Sequence, residues 1–387
     1  MISREIKNLI ETFLLGFPVI GLIGPRQSGK TTLMKSMFPE YKYFNLESPD
    51  TRSFVESDPA GFIKSQHNVM IDEVQRMPEL LSYIQVAVDE RQMMGDFIIS
   101  GSENLLLSEK IGQSLAGRAA YATLLPLSIG ELVMSGEGVG DLYGQILRGF
   151  YPALYSRNVT PFTYYDQYAA TYVERDLKNI SNVRNLSLFR KFLALLAGRI
   201  GQVVNYQSLS NDVGVSPKII ESWISVLEAC YLVIRLRPYH GNFGKRYIKS
   251  PKVYFTDTGF ACYLLGIRDK ETLSRHYLIG GLFENLCIME IHKRISNNGG
   301  NASLYYFRDS NHNEVDLIID TGIKQIPIEM KSSATFTRSY GKGIRYWKSM
   351  APGAGNQSAF VIYNGDDKFE NSDFSLLKWS ELNKIVI

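Results

Sequence analysis

The first residues that could do chemistry form a glycine-rich run near the N-terminus. Gly24, Gly29, Lys30 and Thr31 fit the pattern Gly-x-x-x-x-Gly-Lys-Thr, whose glycines let successive backbone N–H groups face phosphates. The lysine of this pattern reaches the β- and γ-phosphates, and the threonine hydroxyl binds Mg²⁺. A glycine turn before a core helix is the alternative. The predicted ATP-binding loop contains Gly24, Pro25, Arg26, Gln27, Ser28, Gly29, Lys30, Thr31 and Thr32.

A second pattern places two acids at the end of an apolar strand. Val69-Met70-Ile71 is followed directly by Asp72 and Glu73. Because a phosphate-binding loop predicts a metal-holding acid on a later strand, we predict that Asp72 binds Mg²⁺ together with Thr31 and that Glu73 orients the attacking water. Two solvated acids at a strand end are the alternative.

Polar and basic residues further along the chain complete the predicted catalytic set. The apolar run 97–99 ends in Ser100, which could contact the γ-phosphate from a neighbouring strand. Arg118 could act as an arginine finger on a neighbouring subunit, or it could be a solvated arginine at a helix end. Arg175 is a weaker candidate for a second sensor. The predicted catalytic residues are Lys30, Asp72, Glu73, Ser100 and Arg118.

The C-terminal part of the chain carries a separate set of acids. In the predicted strand 325–331, period-2 alternation places Glu329 and Lys331 on one face. Hairpin pairing could bring Asp316 beside Glu329, and Glu284 lies on the preceding predicted helix. Carboxylates in this order could gather Mg²⁺ and the lysine could polarise a water for phosphodiester cleavage, whereas an exposed charged strand face is the alternative.

Basic residues also cluster between the two acidic regions. They lie around a Gly-rich loop between two predicted strands, and this loop follows a predicted helix-turn-helix at 206–228. Such a winged helix would contact DNA phosphates in a salt-sensitive manner, although a solvated surface is the alternative. These basic residues are Arg235, Arg237, Lys245, Arg246, Lys249 and Lys252.

These residues must be positioned by helices and strands. The predicted order of these elements indicates an α/β protein of several domains. Apolar strands alternate with helices in the first ~130 residues, which is typical of a parallel sheet. A helical region, the winged helix and a second α/β region follow. The predicted domains are an ATPase domain at 1–150, a helical lid at 151–200, a winged helix at 201–275 and a nuclease-like domain at 276–387.

Composition leaves these predictions open and excludes some other classes of protein. The 387 residues are 45% hydrophobic and 21% charged, with a net charge of +3, which is ordinary for a globular protein. The three cysteines are far apart, so they indicate neither a disulfide framework nor a zinc site. No apolar run approaches the ~20 residues that span a bilayer, and the N-terminus does not fit a signal peptide. We expect a cytoplasmic protein without membrane contact.

With these residues in order, the chain resembles AAA-type (AAA+ superfamily) P-loop ATPases fused to a C-terminal restriction-endonuclease-like PD-(D/E)XK domain. This bacterial and archaeal family has few assigned functions, and the resemblance covers nearly the whole chain. It implies an N-terminal parallel-sheet ATPase domain, ATP and Mg²⁺ as cofactors, and a nuclease-like site at Glu284, Asp316, Glu329 and Lys331.

Two functions remain open at this point. The first is an ATP-driven enzyme that acts on DNA through the winged helix and a Mg²⁺-dependent nuclease-like domain. The second is a nucleotide-dependent switch whose C-terminal domain is a non-cleaving interaction module. We also expect a homo-oligomer, because AAA-type domains form rings in which Arg118 could act across an interface.

Overall fold

The computed structural model describes residues 2–102, 115–173, 185–239, 250–350 and 358–385. The chain divides into two compact units, of which the first contains Met1–Leu127, Ala229–Tyr231 and Ser296–Gly299 and the second contains the remainder. This division differs from the predicted boundary at 150. Residues directly after Leu127 belong to the second unit, where the backbone N–H of Ile129 donates to the Glu290 carboxylate at 2.9 Å.

Five parallel strands form the sheet of the first unit, in the order β2-β3-β4-β1-β5. The strands are β1 (Val19–Ile23), β2 (Lys42–Asn45), β3 (Val69–Asp72), β4 (Phe97–Gly101) and β5 (Ala119–Thr123). The described helices are α1 (Lys7–Leu14), α2 (Lys30–Met37), α3 (Pro49–Ser57), α4 (Pro59–Ser65) and α5 (Leu80–Arg91).

The central strand β1 is buried on both faces, as expected for a parallel sheet covered by helices. Val19 and Ile23 pack into one apolar cluster, whereas Ile20 and Leu22 pack into another. Because β4 lies between β1 and β3, the carboxyl ends of these three strands meet at one edge of the sheet. The predicted parallel α/β character of the first unit is therefore confirmed.

The second unit contains a mixed sheet of seven strands, in the order β12-β11-β10-β9-β8-β6-β7. These strands are β6 (Val233–Pro238), β7 (Lys252–Phe255), β8 (Ser303–Arg308), β9 (Glu314–Asp320), β10 (Gln325–Lys331), β11 (Phe360–Tyr363) and β12 (Ser375–Lys378). The central strands β8, β9 and β10 are antiparallel neighbours, and β11 and β12 continue the sheet in parallel.

Helices precede and interrupt this sheet. They are α6 (Ile129–Met134), α7 (Leu142–Arg148), α8 (Ala153–Ser156), α9 (Pro161–Tyr168), α10 (Leu186–Ala197), α11 (Tyr206–Val213), α12 (Pro217–Ala229), α13 (Thr258–Leu264), α14 (Lys270–Arg275), α15 (Ile279–Asn297) and α16 (Lys342–Met350). In the part of the chain that the structure describes, no helix is both long enough and apolar enough to cross a membrane.

The helices and strands predicted for the winged helix are present, but their sheet is larger than expected. Helices α11 and α12 flank the turn at Gly214, and β6 pairs with β7 in an antiparallel manner. The other edge of β6 pairs with β8, at Arg237 opposite Tyr305. These strands are therefore part of the seven-stranded sheet, and a separate winged-helix domain stays a prediction.

Candidate functional site

The glycine-rich loop follows the buried strand β1 directly. Gly24 has a φ of 143° and Gly29 has a φ of 98°, conformations that other residues rarely adopt. A Cβ atom on Gly24 would also lie 2.3 Å from the carbonyl oxygen of Leu124. These two glycines are therefore required by the backbone path, and Lys30 begins helix α2 immediately after it.

The Lys30 side chain is folded back onto its own loop. Its Nζ donates hydrogen bonds to the carbonyl oxygens of Gly24, at 2.8 Å, and Pro25, at 2.9 Å. Burial lowers the pKa of Lys30 to about 8, against the opposing effect of the Glu73 and Asp72 charges. Among the described residues, the ammonium is thus held by backbone carbonyls and not by a carboxylate.

Asp72 gathers hydroxyl groups from three elements. Its Oδ2 accepts hydrogen bonds from Thr31 Oγ1, at 2.7 Å, and from the Tyr43 hydroxyl, at 2.8 Å. Its Oδ1 accepts from Ser100 Oγ and, at 3.1 Å, from the backbone N–H of Glu73. The structure therefore brings together Thr31, Asp72 and Ser100 as the sequence predicted, and it adds Tyr43.

Glu73 has a separate set of partners. The residue adopts a left-handed backbone with a φ of 58°, which directs its side chain differently from that of Asp72. Its Oε2 accepts hydrogen bonds from Ser102 Oγ, at 3.0 Å, and from the Gln75 side chain. Ser100 and Ser102 at the end of β4 thus hold one acid each.

The loop and its acids suit a magnesium nucleotide. The Thr31 hydroxyl and the Asp72 carboxylate are oxygen donors of the kind that Mg²⁺ prefers. The Ser28 hydroxyl is fully buried in the loop and has no hydrogen-bond partner among the described residues. We use the term nucleotide site for Gly24 to Thr32 together with Asp72, Glu73 and Ser100. Thr32 is exposed on α2, and Arg26 lies 3.5 Å from the Glu47 carboxylate.

Arg4 was not predicted from the sequence as a site residue. It lies outside the glycine-rich loop but contacts the backbone of that loop. Arg4 is only 7% exposed, and its guanidinium donates to the carbonyl oxygen of Ser28, at 2.7 Å, and to that of Leu125, at 2.6 Å. A buried charge that donates to two backbone carbonyls fixes both segments. Its contacts lie 24 and 121 residues away in sequence, so no local pattern could have revealed them.

Arg118 is not brought to the nucleotide site of its own chain. It precedes β5, and its carbonyl oxygen accepts from the backbone N–H of Val19 at the start of β1. Because the loop follows the other end of β1, about 13 Å of strand separates the two. The guanidinium forms an ion pair with Asp89. Arg175 lies outside the described residues.

The predicted C-terminal residues Asp316, Glu329 and Lys331 do lie together. Lys331 Nζ is 2.8 Å from Glu329 Oε2 and 3.3 Å from Asp316 Oδ2. Asp316 Oδ2 also accepts from the backbone N–H of Met330, at 2.7 Å, across the β9–β10 hairpin. Burial lowers the pKa of Lys331, but the two carboxylates outweigh this effect and raise it above the ordinary value.

Glu284 lies in the same cluster but has a different lysine. Lys252 Nζ is 2.9 Å from Glu284 Oε1 and 2.6 Å from Glu314 Oε1, and the Tyr254 hydroxyl also donates to Glu284. Burial raises the pKa of Glu284 to about 7, with Asp316 adding to the rise and Lys252 opposing it. The carboxylate cluster, as we name it, contains Glu284, Glu314, Asp316, Glu329, Lys252 and Lys331.

Lys252 corrects part of the prediction for the basic loop. We expected it to contribute to a DNA-binding surface, but it is 1% exposed and paired with two carboxylates. Strand β7 lies at the edge of the seven-stranded sheet, but all four of its residues are buried, and Lys252 with them. Arg235 is paired with Glu228, whereas Lys245, Arg246 and Lys249 lie outside the described residues.

The carboxylate cluster does not fit a metal ion as it stands. The described residues include no group of three or more His, Cys, Asp or Glu side chains that could hold a metal ion. Each of the predicted acids is already paired with a lysine, and a lysine ammonium competes with a cation for the same oxygens.

Family models match three parts of the chain. Residues 16–133 match the AAA domain family, and residues 139–271 and 279–382 match two domains of unknown function, DUF8612 and DUF4143. Together with the glycine loop and its acids, the first match indicates an AAA-type P-loop ATPase domain. ATP and Mg²⁺ are used generally in that family.

Relatives of the whole chain are known as well. Uncharacterized proteins of Mycobacterium tuberculosis and Mycobacterium bovis are each 29% identical over 361 residues, which is 92% of this chain and 78% of theirs. A Walker-type ATPase of Pyrococcus abyssi has a TM-score of 0.44 and 15% identity, over 68% of this chain and 96% of that one.

Proposed function

We propose that this chain is an ATP-hydrolysing AAA-type enzyme that acts on DNA. The observation that carries the proposal is the hydrogen bonding at Asp72, which joins Thr31 of the phosphate loop to Ser100 of the adjacent strand end. A buried lysine and a second carboxylate, Lys30 and Glu73, complete a set that suits phosphoryl transfer to water.

Each residue of the nucleotide site has a distinct role in this proposal. Thr31 and Asp72 would hold Mg²⁺, which neutralises charge on the phosphates when it is bound. Lys30 exchanges its two backbone carbonyls for phosphate oxygens, since these carbonyls are neutral and weaker partners. Glu73 orients the water, and Ser100 keeps Asp72 in position.

Rates of ATP hydrolysis test this part of the proposal. We expect Lys30→Ala to lower kcat/KM by more than about 100-fold, because positioning and charge stabilisation carry phosphoryl transfer. Glu73→Gln should lower kcat by about 10² to 10⁴ while ATP still binds. The exposed Lys64→Ala variant is the matched control. Wild-type rates in both site variants would contradict the assignment.

The DNA part of the proposal rests on the basic residues of the second unit. Arg237 is exposed on β6, and the helix-turn-helix elements α11 and α12 precede that strand. We expect DNA binding that weakens steeply with salt and on charge removal at Lys245 and Arg246. Rates of ATP hydrolysis with and without DNA test whether the two parts of the proposal are coupled. Absence of DNA binding at low salt overturns the DNA part.

A nuclease-like site in the second unit is the finer hypothesis, and the switch with a non-cleaving module is the competing one. The lysines that pair with every predicted acid favour the competing function. DNA cleavage in Mg²⁺ or Mn²⁺ distinguishes them. Cleavage that disappears in Glu329→Ala and Lys331→Ala while ATP hydrolysis persists supports a nuclease. Cleavage unchanged in both variants indicates a contaminant.

Self-association is the last part of the proposal. Arg118 lies at the edge of the sheet opposite the loop, so a finger role requires a second copy of the chain. If it acts across an interface, Arg118→Ala lowers kcat by about 10³ or more, and mixing with Lys30→Ala chains restores activity. Full activity of Arg118→Ala rules out the finger.

A further inference from the structure

The second unit contains a pocket of about 590 Å³ that belongs to neither site described above. This volume is within the range of small-molecule binding sites, about 300 to 1,000 Å³. The residues around it are unusually rich in arginine and tyrosine. They include Tyr206, Arg235, Arg237, Tyr239, Tyr305 and Asp320.

Strand pairing explains why these side chains converge. Arg235 and Arg237 are two residues apart on β6, so both project from the same face. Arg237 lies opposite Tyr305 of β8 in the parallel register. The Tyr239 ring packs edge-on against Tyr305, with centroids 5.6 Å apart, and against Trp347, at 5.0 Å. The aromatic wall of the pocket is therefore supported from behind.

The two arginines differ in their availability. Arg235 Nε donates to Glu228 Oε2 at 2.7 Å, so its charge is already compensated. Arg237 is exposed, and within the described ranges no residue forms a hydrogen bond or an ion pair with it. Asp320 Oδ1 accepts from the backbone N–H of Gly322, at 2.9 Å, and from the Gln325 side chain, at 3.5 Å, and the carboxylate retains further acceptor capacity. The pocket thus offers one available guanidinium, aromatic rings and a carboxylate acceptor.

We propose that this pocket binds an unpaired nucleotide of a DNA strand, with the base against the tyrosines and a phosphate on Arg237. Rings and arginines are the groups that hold single strands, because every base has a face to stack and every linkage has a charge. Asp320 accepts a hydrogen bond from an exocyclic amine, which only amino-bearing bases supply. The inference rests on the proposed action on DNA and specifies the form of DNA that is bound.

Duplex DNA does not suit the pocket in the same way. Its bases are stacked and paired, so placing one against Tyr305 requires unstacking that costs a few kcal/mol. A strand end, a gap or a single strand avoids this cost. An acidic peptide could also contact Arg237, but it would leave the aromatic wall and Asp320 without a role.

Fluorescence anisotropy with the full-length chain tests the inference. The probes are labelled oligodeoxycytidine and oligodeoxythymidine of about 20 nucleotides and a blunt duplex of equal length, at about 50 mM salt. We expect Arg237→Gln to weaken single-strand binding on the order of tenfold and Tyr305→Leu roughly fivefold. Arg275→Gln and Tyr277→Leu, exposed residues outside the pocket, are the matched controls. Asp320→Asn should abolish a preference for cytosine over thymine.

The outcomes separate this inference from the function on which it rests. If wild-type protein binds no DNA, the DNA-directed function and the pocket assignment both fail. If it binds but Arg237→Gln and Tyr305→Leu match their controls, only the pocket assignment fails. Equal loss for duplex and single strand contradicts an unpaired nucleotide. Competition by free deoxycytidine monophosphate as strong as that by the oligonucleotide indicates a mononucleotide site, and competition by oligoglutamate alone indicates a peptide site. Each of these results overturns the inference.

Discussion

The nucleotide site of the first unit and the carboxylate cluster of the second both bring lysines close to acids, but the lysines have different partners. Lys30 donates to two backbone carbonyls, and Asp72 is satisfied by hydroxyls. In the carboxylate cluster, Lys252 and Lys331 contact the acids themselves. In the nucleotide site, the lysine ammonium does not contact the carboxylates directly, whereas in the carboxylate cluster the lysines and acids form ion pairs.

The pKa values follow from this difference. Burial lowers the pKa of Lys30 to about 8, since no carboxylate contacts its ammonium directly. Burial acts in the same direction on Lys252, but Glu284 and other nearby acids outweigh it and the pKa is raised. The lysine of the nucleotide site therefore has no direct carboxylate contact, while each of the four acids in the carboxylate cluster already contacts one of its two lysines.

Removing each lysine should expose the difference most strongly. We expect Lys252→Met to lower the free energy of unfolding by about 3 to 5 kcal/mol, because the Glu284 carboxylate then remains largely buried without its cation. The partly exposed Glu314 keeps Arg308 at 3.5 Å. Lys30→Met in nucleotide-free protein should change it by less than about 1.5 kcal/mol, since the lost carbonyl contacts and the relieved burial of charge oppose each other.

Calorimetric unfolding of the full-length chain measures both variants. Lys270→Met, which removes an exposed lysine paired with Asp141, is the control for loss of a surface ion pair. Comparable destabilisation by Lys252→Met and Lys30→Met would mean that the two lysines are held in equivalent ways, and the comparison would not stand.

The pH dependence of stability should differ in sign between the sites. Glu284 has a pKa of about 7 in the folded protein and 4.5 ordinarily, so the folded state binds more protons between these values. The free energy of unfolding therefore falls as pH rises from 4.5 to 7, by on the order of 3 kcal/mol. Lys30, at about 8 against 10.5, makes the unfolded state bind more protons, so stability rises between those values.

Urea titrations of wild type and Glu284→Gln at pH 5 and pH 8 check the first sign. The advantage of wild type over the variant should be larger at pH 5. Glu271→Gln, on the exposed helix α14, should show no such change. An advantage that grows toward pH 8 contradicts a raised pKa at Glu284.

The comparison also explains which features the sequence could reveal. The glycine loop is a local pattern, and Asp72 and Ser100 follow apolar strands whose ends must meet in a parallel sheet. Glu329 and Lys331 were found by alternation along one strand. Each of these predictions needed only spacing within one element.

Features that depend on distant parts of the chain were missed. Lys252 was interpreted as a surface charge because its neighbours in sequence are basic, but strand pairing buries it against Glu284. The pairing of β6 with β8 could not be inferred from local patterns either. Strand β5 was not predicted from the sequence, because small residues such as Ala119 and Ala122 do not favour a strand over other structures.

Arg4 shows how a residue outside the phosphate loop supports that loop in the first unit. Its guanidinium joins the Ser28 and Leu125 carbonyls, so Arg4→Ala leaves two buried acceptors without this donor. We expect a loss of about 1.5 to 3 kcal/mol in unfolding free energy and a rise in KM for ATP of roughly tenfold with little change in kcat, because the loop binds phosphate but the acids are untouched. Arg4→Lys should recover part of both. ATP hydrolysis kinetics and thermal unfolding measure the two effects, with Lys64→Ala as the exposed control. A fall in kcat with unchanged KM would place Arg4 in the chemical step, and the view of the loop as a separately supported binding element would have to be abandoned.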